Sequence, residues 1–226
     1  MANPTLTFKT PLVELRWVNI SGEGKFKYDP ENKLDKDDKK NYQYVATAVL
    51  TEEQAEAIRK QLAEFWKKNK PAGATKQKYE VVKPLMKKVV DADGKPVLDE
   101  DDAPVLEQEK DSNGKPLYQM LFKTGVDWPD GTEQVIKVMR ANGNPLHLGD
   151  KKIGSGSTGV VHGKIGINGF KGNEGLMCYL SAIQLKKYVE YTEGDEIHAD
   201  DLGDDEGLDD LDIDAADIST QKGPEV

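Results

Sequence analysis

The sequence predicts a mainly β protein: a five-stranded barrel with a helix after the second strand, a charged hairpin-like insertion and a disordered acidic tail. Three observations predict it. Runs of strand-forming residues return five or six times between turn signals. A single segment has strong helical periodicity. The carboxylates crowd at one end: residues 190–226 hold fifteen acids and one base, a net charge of −14, while residues 1–189 carry +4. A mildly basic body joined to an acidic arm is a charge asymmetry that often accompanies nucleic-acid binding. The stretch "LGDDEGLDDLDIDAAD" at 202–217 has eight acids in sixteen residues and too few apolar side chains to offset the entropy of ordering it. The expected organisation is one domain over 1–190, with an insertion at 72–116, and a tail over 191–226.

The elements follow in order. Phe8 to Ile20 is rich in strand formers and reads as the first strand. Ser21 to Asn41, with Gly22, Gly24, Pro30 and many charges, reads as a long mobile loop. Tyr42 to Leu50 is a second strand, with Tyr44, Ala46, Ala48 and Leu50 on one face. Thr51-Glu52-Glu53-Gln54 is a capping box, and the stripe Ala55, Ile58, Leu62 and Phe65 follows at helical spacing before Pro71. In 72–116, "DADGKPVL" and "DSNGKPLY" each hold a turn signal and "DEDD" at 99–102 lies between them. We read the region as a charged hairpin-like excursion in preference to a degenerate duplication. Strands return at Leu117–Thr124, Gln134–Arg140, Val160–Ile167 and Leu176–Val189, with "KKIGSGSTG" at 151–159 as a basic, flexible loop or a cradle for a phosphate. Gly163 and Gly166 suggest bulges or a tight barrel corner in the strand that holds them. Short strands plus one helix fit an OB-fold barrel.

Several chemistries find no support. The lone Cys178 allows no internal disulfide and no cysteine-based metal cluster. "GSGSTG" lacks the Gly-Lys-Ser/Thr ending of a nucleotide loop. Asp210, Asp212 and Asp214 start like a calcium loop, but Ala215 stands where glycine is required and Gln221 stands at the twelfth position. His147, His162 and His198 are too scattered for a zinc site. No cofactor is expected, and no enzyme. No apolar run is long enough for a membrane span, and the N-terminus shows no signal pattern. The expectation is a soluble cytoplasmic protein with no membrane partner.

The positive signal is aromatic residues interleaved with bases, because rings stack on unpaired bases while cations follow the phosphates. "GKFKY" supplies Lys25, Phe26, Lys27 and Tyr28, and "HGKIGINGFKGN" supplies His162, Lys164, Phe170 and Lys171. Lys151 and Lys152 add two bases. Trp17, Tyr118, Phe122 and Lys123 form a second tier, since each of the rings could equally pack in a core.

The order of a barrel, a helix after the second strand, "IGSGS" at Ile153 to Ser157, a basic strand, an aromatic-Lys turn and an acidic tail resembles the OB-fold single-stranded DNA-binding proteins of tailed phages. The resemblance is best over 135–191, fair over 42–68 and poor over 72–116. It implies binding of single-stranded DNA without strong sequence preference during replication and recombination, in the host cell cytoplasm. It also implies a tail that competes with DNA and recruits replication or recombination proteins, and it leaves a homo-oligomer on DNA open. It places Lys164, Phe170 and Lys171 on the DNA surface, with His162 where a further base would stand. The chain departs from the family's best-known tails, which end in an aromatic residue, by ending in Gly-Pro-Glu-Val. The alternative reading is an acidic-tailed interaction or assembly protein that does not bind DNA.

Overall fold

The computed structural model describes residues 4–27, 33–72, 74, 81–128, 130–168 and 174–192. The tail from residue 193 onward, for which disorder is the expectation, lies outside the described residues. The elements are β1 (Thr5–Lys9), β2 (Val13–Asn19), β3 (Lys25–Phe26), β4 (Tyr42–Leu50), α1 (Glu52–Asn69), β5 (Val82–Pro84), β6 (Met86–Lys88), β7 (Leu106–Gln108), β8 (Tyr118–Gly125), β9 (Lys137–Met139), β10 (Ser157–Asn168) and β11 (Gly175–Lys187). The main sheet runs β5-β8-β4-β2-β10-β11-β9, with β1 added on β10 and β3 on β4. It is open among the described residues: β8 and β11 pack side by side without a ladder between them.

The long strand β10 organises the fold. The first strand expected over 8–20 is two strands, because Pro11 cannot donate to a ladder. Thr10 bridges the break: its amide donates to the Val161 carbonyl at 3.0 Å, and its hydroxyl accepts from the Val161 amide at 3.0 Å. Both halves lie along β10, β1 against His162 to Gly166 and β2 against Ser157 to Gly159. Gly163 is needed here, since a Cβ would run into the Tyr179 carbonyl and approach the Phe122 ring to 3.1 Å. The bulges expected within β10 at Gly163 and Gly166 are corrected: the register shifts beside Gly163 alone of the two, and the extra residue lies on the partner strand β11. His162 pairs with Ala182 but Gly163 pairs with Leu180, so Ser181 is the extra residue.

The capping box forms as expected. The Gln54 amide donates to Thr51 Oγ1 at 3.3 Å, and Gln54 Oε1 accepts from the Thr51 amide at 3.0 Å. The buried stripe of α1 is Ala55, Ile58, Leu62 and Trp66, with Phe65 only partly buried, so the fourth position of the expected stripe is corrected by one residue. Leu15, Ala46, Ala48, Leu50, Met120, Phe122, Ile165 and Ile183 are fully buried at the centre of the core.

Three other expectations change. The supposed mobile loop at 21–41 contains β3 and a short 3-10 turn at Lys39–Asn41. Its glycine at position 24 takes φ +78 and sits against Val126, where a Cβ would lie 2.6 Å from a Val126 methyl. The glycine-serine loop is not flexible packaging: Ile153 bridges Glu190, the Gly154 amide donates to the Val189 carbonyl at 2.7 Å, and Ser157 Oγ accepts from the Val189 amide at 2.9 Å. The segment 134–140 is a strand only at β9, which runs parallel to β11.

The 72–116 excursion is a branched arm, and the repetition in it is real. In three places an amide donates to a carbonyl eight residues earlier: Val97 to Val89, Val105 to Val97 and Leu117 to Glu109. Each closes a small hairpin with the bridges Val90↔Pro96, Leu98↔Pro104 and Lys110↔Pro116. In each the fourth turn residue is left-handed, Gly94 at φ +77, Asp102 at +59 and Gly114 at +76, as a type I turn with a bulge requires. Asp91, Asp99 and Asp111 hold the turns by accepting two backbone N–H bonds each. The hairpins meet at two three-way junctions. Val89, Val97 and Val105 donate around one ring, and Leu85, Glu109 and Leu117 around another. The same closure recurs at Val126/Gln134 and Val138/Leu146, and "DEDDAP" is a copy that the sequence did not advertise.

Candidate nucleic-acid interface

Lysines and aromatic rings gather around β4 and β8. Alternate side chains of this antiparallel pair, Gln43, Val45 and Thr47 with Gln119, Leu121 and Lys123, form the floor of a groove of about 730 Å³. β3 and the Trp17 end of β2 flank it along one edge of β4, contributing Trp17, Lys25, Phe26 and Lys27. Met177 and Tyr179 of β11 flank it beyond β8. Among the described residues three lysines and three rings line this groove, and no aspartate or glutamate does. Leu121 is exposed on its floor.

Each ring has a structural cause for its position. In β2 the register passes from Arg16↔Thr47 to Asn19↔Val45, three steps against two, so one residue is bulged. Trp17 stands in that bulge at φ 50 and is 53% exposed. A bulky residue in this region is a genuine outlier. Next to it, the Arg16 guanidinium is fixed by Glu14 and by Glu109, the latter at 2.8 Å. Burial works against its charge, but hydrogen bonds to Glu109 and Glu14 outweigh that and raise its pKa above the ordinary value. Phe26 packs edge-on against Tyr42 at 5.3 Å and 68°, and Lys27 Nζ donates to the Lys40 carbonyl. The Tyr179 ring lies over Gly166, where a Cβ would come within 3.0 Å of it. Lys164, exposed, is the cross-strand partner of Tyr179 and therefore shares its face.

The other expected residues separate. A second concavity of about 1020 Å³ shares Trp17 and Lys25 with the groove and holds Lys151 and Lys152, together with Lys137, Glu133 and Tyr191. Lys151 Nζ is 3.4 Å from Glu190. His162 lines neither concavity, and its Nε2 lies 3.2 Å from Gln184 Oε1. Tyr28, Phe170 and Lys171 lie outside the described residues. In the second tier, Trp17 and Lys123 reach the groove. Tyr118 does not; its ring sits under the Arg59 guanidinium at 4.7 Å. Phe122 is corrected outright. It is fully buried and stacks on Phe8 at 6.1 Å, because it points to the core face of β8 while Leu121 and Lys123 point to the groove.

Sequence reasoning missed Tyr179, Met177, Leu121, Gln43 and Gln119. For Tyr179 the signal was masked by the extra residue Ser181. Leu176, Cys178 and Leu180 are buried before it, and Ile183 and Leu185 after it, so the alternation changes phase midway.

Comparison with protein-family models and with curated sequences gives no match. Among solved structures, gp2.5 of bacteriophage T7 aligns at a TM-score of 0.47 and 12% identity, over 88% of this chain and 99% of that one. A protein of bacteriophage Enc34 in complex with single-stranded DNA aligns at 0.45 and 16% identity, over 80% and 86%. The same Enc34 protein alone aligns at 0.43 and 14%, over 85% and 87%. These are single-stranded DNA-binding proteins of phages. The resemblance read from the residues is to the same class of protein.

Proposed function

We propose that the chain binds single-stranded DNA in the β4/β8 groove and has no catalytic role. The observation that carries this reading is a groove that, among the described residues, has three lysines, three rings and no carboxylate in a chain of net charge −10. Lys25, Lys27 and Lys123 neutralise phosphates, and Lys164 extends that track along β10. Trp17, Phe26 and Tyr179 stack on bases, which need not be of one kind because every base offers a π face. The side-by-side packing of β8 and β11 supports an OB-type barrel with a gap between those strands. The protein works in phage replication and recombination in the host cytoplasm, and its acidic tail competes for the groove and recruits partner proteins.

Fluorescence anisotropy with oligo(dT) and with duplex of equal length tests the reading. Single strands bind at least about tenfold more tightly, because a duplex hides the base faces. Tyr179→Ala weakens single-strand binding by about 1–3 kcal/mol. Equal affinity for both forms, with Tyr179→Ala neutral, would overturn it.

A further inference from the structure

The branched arm and the larger concavity have complementary surfaces. Residues 90–104 of the arm contain six carboxylates and one lysine. Their apolar side chains face solvent too: Val90 is 55% and Leu98 51% exposed. Among the described residues the concavity is lined by Lys25, Lys137, Lys151 and Lys152 and by Glu133, with Lys151 also paired to Glu190 at 3.4 Å, and its apolar lining includes Val135, 74% exposed. In the chain itself the arm is exposed and the concavity stands open, so the arm does not fill its own concavity. The two junction rings and the aspartate-held turns make the arm rigid in advance, so little order has to be imposed on it when it binds.

We infer that the Val90/Leu98 arm of one copy docks in the Lys137-lined concavity of a second copy of this chain. Such a contact joins two different surfaces and leaves one of each free at the ends, so it grows into an open row. A row of copies on one DNA strand binds cooperatively. The contact itself needs no DNA; the concavity shares Trp17 and Lys25 with the β4/β8 groove, so the variants that test it lie at residues the groove does not use.

The test uses the full chain without DNA, at low ionic strength, in sedimentation velocity over a concentration series. The parent associates reversibly, and salt disperses it. V90D/L98D in the arm, D93K/E100K in the arm and V135D/K137E in the concavity each weaken association at least about tenfold, as losing an anchor does. A mixture of V90D/L98D with V135D/K137E forms one-to-one pairs and nothing larger, because only one arm and one concavity remain intact between them. All these variants keep parental affinity for an oligonucleotide that seats one copy, whereas failure of the groove reading appears there and not in self-association. A monomeric parent, or association that the arm variants leave unchanged, overturns the inference. So does association lost only on removing residues 193–226, which would make the acidic tail the occupant, or a concavity whose variant loses single-copy DNA binding, which would make DNA the occupant.

Discussion

Trp17 holds a backbone conformation that costs on the order of 1–3 kcal/mol for a residue of its kind, and its ring is exposed at the meeting of two concavities. Trp17→Gly separates strain from function. Glycine takes positive φ freely, so the variant melts no lower than the parent while binding oligo(dT) about tenfold more weakly or worse, the effect of one lost stacking platform. Lower melting with unchanged affinity would mean the ring serves the core. Cys178 gives the opposite kind of prediction. Its thiol is buried behind the groove and pushed up to about 12 by desolvation, with Lys123 pulling the other way. The folded value lies above the unfolded one of about 8.5, so folding favours the neutral thiol. That contribution is complete below the unfolded value and is lost as pH rises toward about 12. Denaturant unfolding from neutral to alkaline pH shows this loss, and Cys178→Val abolishes that part of the slope.

The small hairpins show how an element can be legible once its turn chemistry is known. Asp at the first turn position, a left-handed residue at the fourth and proline at the closing bridge recur in three copies. The middle copy hides because Asp102 takes the place of glycine, which short polar side chains tolerate in the left-handed region. Asp111 Oδ1 accepts from the Asn113 amide at 2.9 Å and the Lys115 amide at 2.8 Å. Asp111→Ala loses about 1 kcal/mol locally. Amide exchange at Asn113 and Lys115 speeds up about fivefold, while the global melting temperature hardly moves because the arm is exposed. Unchanged exchange would show that the turn holds without its aspartate. In β11 the reverse occurs: the strand was legible and its facing was not, because the residue at 181 that shifts the phase is an ordinary serine.

At the scale of the whole molecule, charge decides what can be measured. If the four lysines of the proposed DNA path contact phosphates, the log-log salt slope on a single strand is roughly −3. Replacing Lys151 and Lys152 leaves that slope unchanged; a flatter slope would place the strand in the larger concavity. Residues 193–226 carry fourteen acids and one base. On the proposed function, this tethered polyanion at roughly millimolar effective concentration is an internal competitor of DNA for the groove. Removing those residues therefore tightens binding, most at low salt, and the gain shrinks as salt screens both attractions. Identical affinities for the two forms at low salt would show that the tail does not gate the groove.

Local chemistry was enough to determine some of this protein from its sequence. The capping box of α1, the strands β4, β8, β10 and β11, the turns at Gly94 and Gly114, and the split between basic body and acidic tail each depend on neighbours a few residues apart. Lys25, Phe26 and Lys27 were legible for the same reason, as a basic-aromatic alternation between glycine and a turn. What the tertiary structure decided was which face each residue turns to. Phe122 and Lys123 are adjacent in sequence, yet one is core and the other is groove. Lys123 and Lys151 looked alike, yet they line different concavities. Bulges at Trp17 and Ser181 reset the two-residue period, and their cause is the register with β4 and β10 across long gaps in the chain. A period of two magnifies a one-residue shift into a change of face, so the groove became visible only when the strands were paired.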